Sequence, residues 1–475
     1  MKIKKSGLFL AQAVILTSAS LSMAMPEETL NSRANGAIVK MIQSTNGNLA
    51  AVQSYFSKTQ VPELDQLWDS RKDIPADACK TPRPHCRVLS VFRGQSSDHP
   101  IVLMPGFTGY RKMYLEQIYD LLKAGYGPVY VSDFAGTGDS YKPELTTGSP
   151  ELTVSQMLNN YKKVIPAFNA EVTKDAGAPI AAVVSYVISQ LHIGVGYIPD
   201  FNDYQKDADY IMSQAVLENP NHKIVVTSLS MTGLVVAQAI ANQDKHPTWI
   251  THVDRFVFES PMLRVLASDK LGRGLGAGPQ GLAQLGDLFA AQKLVTPDKG
   301  LPEFVDKATG AYNPNNSISH SPNRLGLSDS LRVWNGHETA GATLGWGYQE
   351  LSHQYNLGPL DSNHLFDHPL NHHIDQIAHA LRVNHIAVVS VGSLSDGLVD
   401  TSATIKFMAD LADEDAFDLH MCTVATSRHV MDQESDRYRE SYMALVIDQL
   451  NHVVRKTYGA EPRNEVLNCR QVLSK

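Results

Sequence analysis

The sequence predicts an α/β protein built on a doubly wound, mostly parallel sheet, with a large insertion over one edge and an N-terminal extension. Three observations carry this. Short apolar runs rich in Val, Ile and Phe recur between turn residues, as strands buried on both faces require. Segments of helical spacing separate them, which implies right-handed crossovers between parallel strands. The chain is also long enough, at 475 residues with 43% hydrophobic and 19% charged residues, to bury a large core.

Taken in order, His99-Pro100-Ile101-Val102-Leu103-Met104 reads as the first core strand, with Pro105-Gly106-Phe107-Thr108-Gly109 as the turn at its end. Met113 to Ala124 has helical spacing, and Pro128-Val129-Tyr130-Val131 is the next strand. A glycine-rich turn, Gly136-Thr137-Gly138-Asp139-Ser140, follows Asp133. The alternation resumes with a helix over Tyr204 to Leu217, a strand over Lys223 to Thr227, a helix over Gly233 to Gln243 and a strand over Arg255 to Phe258. The last block has strands over Ile386 to Val391 and Phe417 to Val424, with a helix over Thr404 to Ala412 between them. A long amphipathic helix from about Gln433 to Thr457 closes it. These boundaries give a core over 91–261 and 382–475, interrupted by an insertion at 141–191 and by a cap at 262–381, and preceded by an extension at 25–90. The cap segment is rich in Gly, Pro, Asn and aromatics, and a cap belongs over the C-terminal strand edge, where such sheets bind ligands.

Charge and the termini narrow the function classes. The net charge of −8, with no dense basic run, argues against nucleic-acid binding and against general attraction to anionic surfaces. Lys2, Lys4 and Lys5 precede an apolar run from Gly7 to Met23 that ends in Ser22-Met23-Ala24, the pattern of an export signal cleaved after Ala24. The expectation is an exported protein, periplasmic or secreted. Removing residues 1–24 leaves 38 basic against 49 acidic residues, a net of −11. The four cysteines, Cys79, Cys86, Cys422 and Cys469, suit disulfides in that setting. The simplest pairing joins Cys79 to Cys86 and Cys422 to Cys469, but four cysteines allow three pairings and the sequence does not choose.

The sharpest chemical signal is Val225-Val226-Thr227-Ser228-Leu229-Ser230-Met231-Thr232-Gly233-Leu234, a β-branched strand running directly into a helix with serine at the junction. Such an elbow strains the nucleophile's backbone and requires small residues two positions to either side. Around Ser230 these are Ser228 and Thr232; around Ser228 one would be Val226, so Ser230 is the candidate nucleophile. Asp396 lies in the turn after the strand Ile386 to Val391, where a carboxylate can orient an imidazole, with Asp400 as second choice. His429 follows the strand Phe417 to Val424 at the same sheet edge. In this reading Ser230 attacks an acyl carbonyl, His429 takes and returns the proton, and Asp396 fixes the imidazole. The backbone N–H groups of Phe107 and Met231 are the candidate oxyanion donors. The bland readings are a helix-capping serine, a solvated turn carboxylate and a structural histidine.

Several segments carry a resemblance. Pro105 to Glu116 resembles the Pro-Gly…Lys-Tyr-x-Glu block of bacterial lysophospholipases related to monoacylglycerol lipases, serine hydrolases of the α/β-hydrolase fold. Asp133 to Ser140 is similar to their Asp-x-Arg-Gly-x-Gly-x-Ser turn, with Ala135 in place of the arginine. Phe201-Asn202-Asp203-Tyr204, Ser260-Pro261-Met262-Leu263 and His429 to Glu434 resemble further blocks. Ser319 to Arg324 and Gly341 to Trp346 look like cap motifs. The similarity is collinear over most of 99–455. It implies the α/β-hydrolase fold, hydrolysis of the fatty-acyl ester of a lysophospholipid or monoacylglycerol, and Ser230, Asp396 and His429 as the triad, with no cofactor and no metal.

The partners expected are a single-chain lipid or small ester and no nucleic acid, with transient contact with a lipid aggregate or membrane surface as a further option. The small apolar stretch Ala176 to Val187 could line an acyl tunnel, although an ordinary buried helix is the simpler reading. Trp334, Trp346, Tyr348 and Tyr355 fit either an acyl pocket or packing within the cap. His364, His368, His372, His373, His379 and His385 crowd one segment, but Pro369 interrupts their spacing and few acids accompany them. The alternatives to a lipid esterase are a short-chain carboxylesterase or thioesterase, and a catalytically inactive hydrolase-fold binding protein.

Overall fold

The computed structural model describes residues 62–74, 88–95, 98–107, 109–134, 137–138, 140, 202–244, 246–263, 319–321, 372–452, 457–458 and 466–474. The expected export signal 1–24, the insertion 141–191, nearly all of the cap 262–381 and the Cys79–Cys86 pairing lie outside these residues.

The described chain forms one sheet of ten strands in the order β1-β2-β4-β3-β5-β6-β7-β8-β10-β9. Its center is parallel: β4 (Val129–Asp133), β3 (Ile101–Met104), β5 (Ile224–Leu229), β6 (Val253–Glu259), β7 (Ala387–Ser393) and β8 (Leu419–Val424). Every residue of β3, β4, β5 and β7 is buried, which explains why these strands read as mainly apolar runs without strict polar alternation. Helices cover both faces. One core layer packs α3 (Asn202–Glu218), α4 (Met231–Gln243) and α5 (His372–Val383) against Val102, Val226, Phe256 and Val388. The opposite layer packs α2 (Leu115–Lys123) and α7 (Asp436–Leu450) against Leu103, Val131, Val257 and Val389. Each fully buried Val, Leu or Phe contributes roughly 1.5–3 kcal/mol, so the two layers dominate stability.

The flanks differ from expectation. The extension predicted to run to residue 90 already belongs to the sheet: α1 (Pro62–Asp69) is followed by β1 (Lys72–Ile74), which pairs with β2 (Val88–Phe92), and β2 pairs antiparallel with β4 along its full length. Leu89, Val91 and Phe92 supply the apolar surface, and a buried polar knot ties the flank down. Arg111, 1% exposed, donates through Nε to Asp133 Oδ2 (3.0 Å) and through a terminal nitrogen to Asp73 Oδ1 (3.1 Å). The segment expected to open as helix at Met113 starts instead as a 3₁₀ turn, Arg111–Tyr114, because the Arg111 backbone N–H is held by Asp133 Oδ1 (2.8 Å).

At the other end, the helix expected to reach Thr457 stops at Leu450. The chain returns as β9 (Thr457–Tyr458) and β10 (Leu467–Gln471), with β10 antiparallel to β8. Cys469 stands opposite Cys422 in that register, and the two form a disulfide. The glycine-rich turn after β4 is structural. Gly138 has φ +51°, and a Cβ there would lie 2.1 Å from the Asp133 carboxylate, so only glycine fits. Among the described residues no helix is long and apolar enough to cross a membrane.

Candidate active site

Ser230 stands where β5 meets α4 with φ 55° and ψ −118°, a conformation that costs a non-glycine residue roughly 1–3 kcal/mol. The surroundings fix it. The Ser230 N–H donates to the Glu259 carbonyl (2.9 Å), and the Ser230 carbonyl accepts the N–H groups of Gly233 and Met262 (2.9 Å each). Thr232 Oγ1 accepts the Leu229 N–H (3.0 Å) and lies 2.9 Å from the Met104 carbonyl, linking the bend to the end of β3. The position that must be glycine lies one residue beyond the expected site. A Cβ on Gly233 would meet Pro261 Cβ at 2.5 Å, so the close approach of α4 to the segment after β6 explains this glycine.

The turn at Phe107 lies against this bend. A Cβ on Gly106 would sit 3.3 Å from the Leu229 carbonyl, and the Gly106 N–H donates to the Tyr114 hydroxyl (3.2 Å). Met231 is the first residue of α4, so its N–H belongs to the first turn, where helical amides have no intrahelical acceptor. Met231 thus follows Ser230 directly in the bend, and the turn that carries Phe107 begins at a glycine packed against Leu229, one residue before Ser230.

Asp396 and His429 are brought together. His429 Nδ1 lies 2.8 Å from Asp396 Oδ2, and both side chains are at least 95% buried. The second carboxylate oxygen, Oδ1, accepts the N–H groups of Leu398 (2.8 Å) and Val399 (3.0 Å). Burial pushes the Asp396 carboxyl up, but the His429 charge and hydrogen bond, helped by the two amides, outweigh it and leave it below the ordinary carboxylate value. An ionised carboxylate only accepts, so Nδ1 donates in this pair and Nε2 is the ring nitrogen turned away from Asp396. Asp400, the second choice for the acid, instead caps α6 (Thr401–Asp413), accepting the Ser402 N–H (2.9 Å).

The two loops are stitched together. The Leu394 N–H donates to the Val424 carbonyl (2.8 Å) and Ser395 Oγ to the Ala425 carbonyl (2.6 Å). Ser393 Oγ reaches the Ser427 carbonyl. A fragment of the cap segment joins them. Glu434, fully buried, accepts the His320 N–H (2.8 Å) and the Arg428 N–H (2.6 Å) and contacts His320 Nδ1 (2.9 Å), while Ser319 Oγ donates to the Gln433 carbonyl (2.6 Å). Sequence reasoning assigned no role to Ser393 or Glu434, whose contacts join segments distant in the chain.

A family model described as serine aminopeptidase, S33, matches residues 193–309, the stretch that contains the strand, the bend and Ser230. Together with the strand order and the elbow, this decides the architecture. The chain has the α/β-hydrolase fold. This hydrolase fold resembles that of a thermostable carboxyl esterase from Bacillus coagulans, at 11% identity and a TM-score of 0.47, covering 81% of this chain and 98% of that one. It is also similar to a monoglyceride lipase from Saccharomyces cerevisiae (14%, TM-score 0.43, 79% and 97% covered). A third neighbour is a monoacylglycerol lipase from Paleococcus ferrophilus (13%, TM-score 0.40, 77% and 97% covered). The substrates named are those of the neighbours. No curated protein matches the chain.

Proposed function

We propose that the protein is a serine carboxylic-ester hydrolase acting through an acyl-enzyme, with Ser230 as nucleophile, His429 as general base and acid, and Asp396 as the group that orients His429. The observation that carries this reading is the buried Asp396–His429 hydrogen bond at the same sheet edge as a serine held at positive φ. Ser230 Oγ attacks the acyl carbonyl as His429 Nε2 takes its proton. The backbone N–H groups of Met231 and Phe107 donate hydrogen bonds to the developing oxyanion, and the imidazolium returns the proton to the leaving alcohol. Water then repeats the sequence to release the acid.

The substrate class we infer is the fatty-acyl ester of a single-chain lipid, a lysophospholipid or monoacylglycerol. The collinear sequence blocks support it, as does the docking of Ser319 and His320 beside the histidine loop. The export pattern at residues 1–24 supports a site of action outside the cytoplasm in this reading.

Fatty-acid release from lysophosphatidylcholine and from a monoacylglycerol, measured for the wild type beside Ser230→Ala, tests the proposal. Release that falls by at least about 10³-fold in the variant supports it. Release from neither lipid, with activity on short esters or thioesters, would move the substrate class while keeping the chemistry. Silence on every ester together with no labelling of Ser230 by a fluorophosphonate would leave a binding protein.

A further inference from the structure

Glu259 ends β6 as the one acidic residue of an otherwise apolar run, Phe256-Val257-Phe258-Glu259, and it is 2% exposed. A carboxyl group so placed is costly, and its contacts show what it holds. One oxygen, Oε1, accepts the backbone N–H groups of Met431 (2.6 Å) and Asp432 (3.1 Å), two and three residues beyond His429. The carboxylate also takes a hydrogen bond from the Tyr442 hydroxyl on α7. The backbone carbonyl of the same residue accepts the Ser230 N–H (2.9 Å). Glu259 therefore grips the nucleophile's bend with its main chain and the histidine's loop with its side chain.

We propose that Glu259 is a positioning residue of this site, fixing the loop that carries His429 against the bend that carries Ser230. The inference rests on the triad assignment above and extends it. The double acceptance at Oε1 does not need a negative charge, since a carbonyl oxygen of the same reach serves equally. Burial, and next the charge of Asp432, push the Glu259 carboxyl well above its ordinary value, against the Tyr442 and backbone hydrogen bonds that pull it down. That direction fits a group kept for its acceptor geometry, because the charge itself is disfavoured there. Reaction geometry tolerates little error: a displacement of about 1 Å at the reacting groups can cost on the order of 10²-fold in rate.

The test compares Glu259→Met, which keeps the length and removes the acceptors, with Glu259→Gln, which keeps a carbonyl at Oε1, and Glu259→Asp, which draws the acceptor back by one carbon. Steady-state kinetics on the ester that the wild type hydrolyses, and the low-field proton resonance of the His429 Nδ1–H, are read for each. The expected result is a kcat about 10–100-fold lower in the Met variant with KM within about twofold, an altered or broadened resonance, and recovery to within about fivefold of wild type in the Gln variant. If the Met protein does not fold, the Asp variant decides, with reduced kcat and a shifted resonance expected. Wild-type kcat and resonance in a folded Met or Asp variant would overturn the proposal, as would a Gln variant no better than Met. Ser230→Ala and His429→Ala run alongside. If either keeps full activity the triad assignment fails, and the resonance alone then decides whether Glu259 positions His429.

Discussion

Ser230 has a conformation that glycine would adopt without penalty, and its side chain is what the proposed chemistry needs. Relief of positive-φ strain is worth roughly 1–3 kcal/mol, while glycine's extra freedom in the unfolded chain takes back about 0.5–1 kcal/mol. Ser230→Gly is therefore expected to raise thermal stability by about 0.5–2 kcal/mol while abolishing hydrolysis. Ser230→Ala, which keeps the strain, is expected to lose activity with little stability gain. Calorimetry beside an ester assay checks both, and a Gly variant no more stable than the Ala variant would mean that the bend stores no strain.

Asp396 has a pH signature whose sign follows from its depressed value. A carboxyl bound less tightly to its proton when folded than when unfolded contributes stability above its unfolded value, and that contribution is lost as pH falls through the lower folded one. The stability gap between wild type and Asp396→Asn is thus expected to be constant from about pH 5 upward and to close below about pH 3.8. Activity of the Asn variant is expected to fall about 10³–10⁴-fold, because an amide can donate to Nδ1 and favour the wrong tautomer. Denaturant midpoints across pH, and initial rates, provide the measurements. A gap that widens toward low pH would contradict the ionised Asp396–His429 pair.

At the scale of elements, the bend between β5 and α4 depends on how closely α4 approaches the segment after β6. In an isolated helix, replacing glycine by alanine gains about 1 kcal/mol. At Gly233 the added Cβ would meet Pro261 Cβ at 2.5 Å, a contact that backbone must relieve by moving. The clash wins: Gly233→Ala is expected to destabilise by about 1–3 kcal/mol and to lower kcat by displacing Ser230 from its support at Met262. Thermal melts and kinetics of the variant read this, and a stabilised, fully active protein would show that α4 can slide. The elements themselves were legible where the chain is apolar on both faces, as in Ile101–Met104 and Ala387–Ser393. Short flanking strands were not. Val88–Phe92 became a strand by pairing along β4, and Leu467–Gln471 by pairing with β8, partners that local pattern does not reveal.

For the whole molecule, β10 is joined to the sheet twice, by its ladder with β8 and by the Cys422–Cys469 bridge across 47 residues. Closing a loop of that length in the unfolded chain is worth on the order of 4 kcal/mol in the chain-entropy account. Cys469→Ser is expected to lower stability by about 2–4 kcal/mol under oxidising conditions and to leave the reduced protein nearly unchanged. Denaturation with and without a reductant checks it, and equal loss in both would show that packing of the buried sulfurs, not the covalent link, holds the strand.

Local chemistry determined much of this protein: apolar runs set the central strands, and the serine after a β-branched strand marked a sharp bend. Those features depend on neighbours in sequence and on side-chain type alone. Tertiary structure decided that Asp396, not Asp400, meets His429, that Gly233 is the glycine the bend requires, and that Glu259 and Glu434 hold the histidine loop. Each of those depends on contacts between segments tens to hundreds of residues apart, whose distance and register are set by strand order in the folded sheet and by no local pattern.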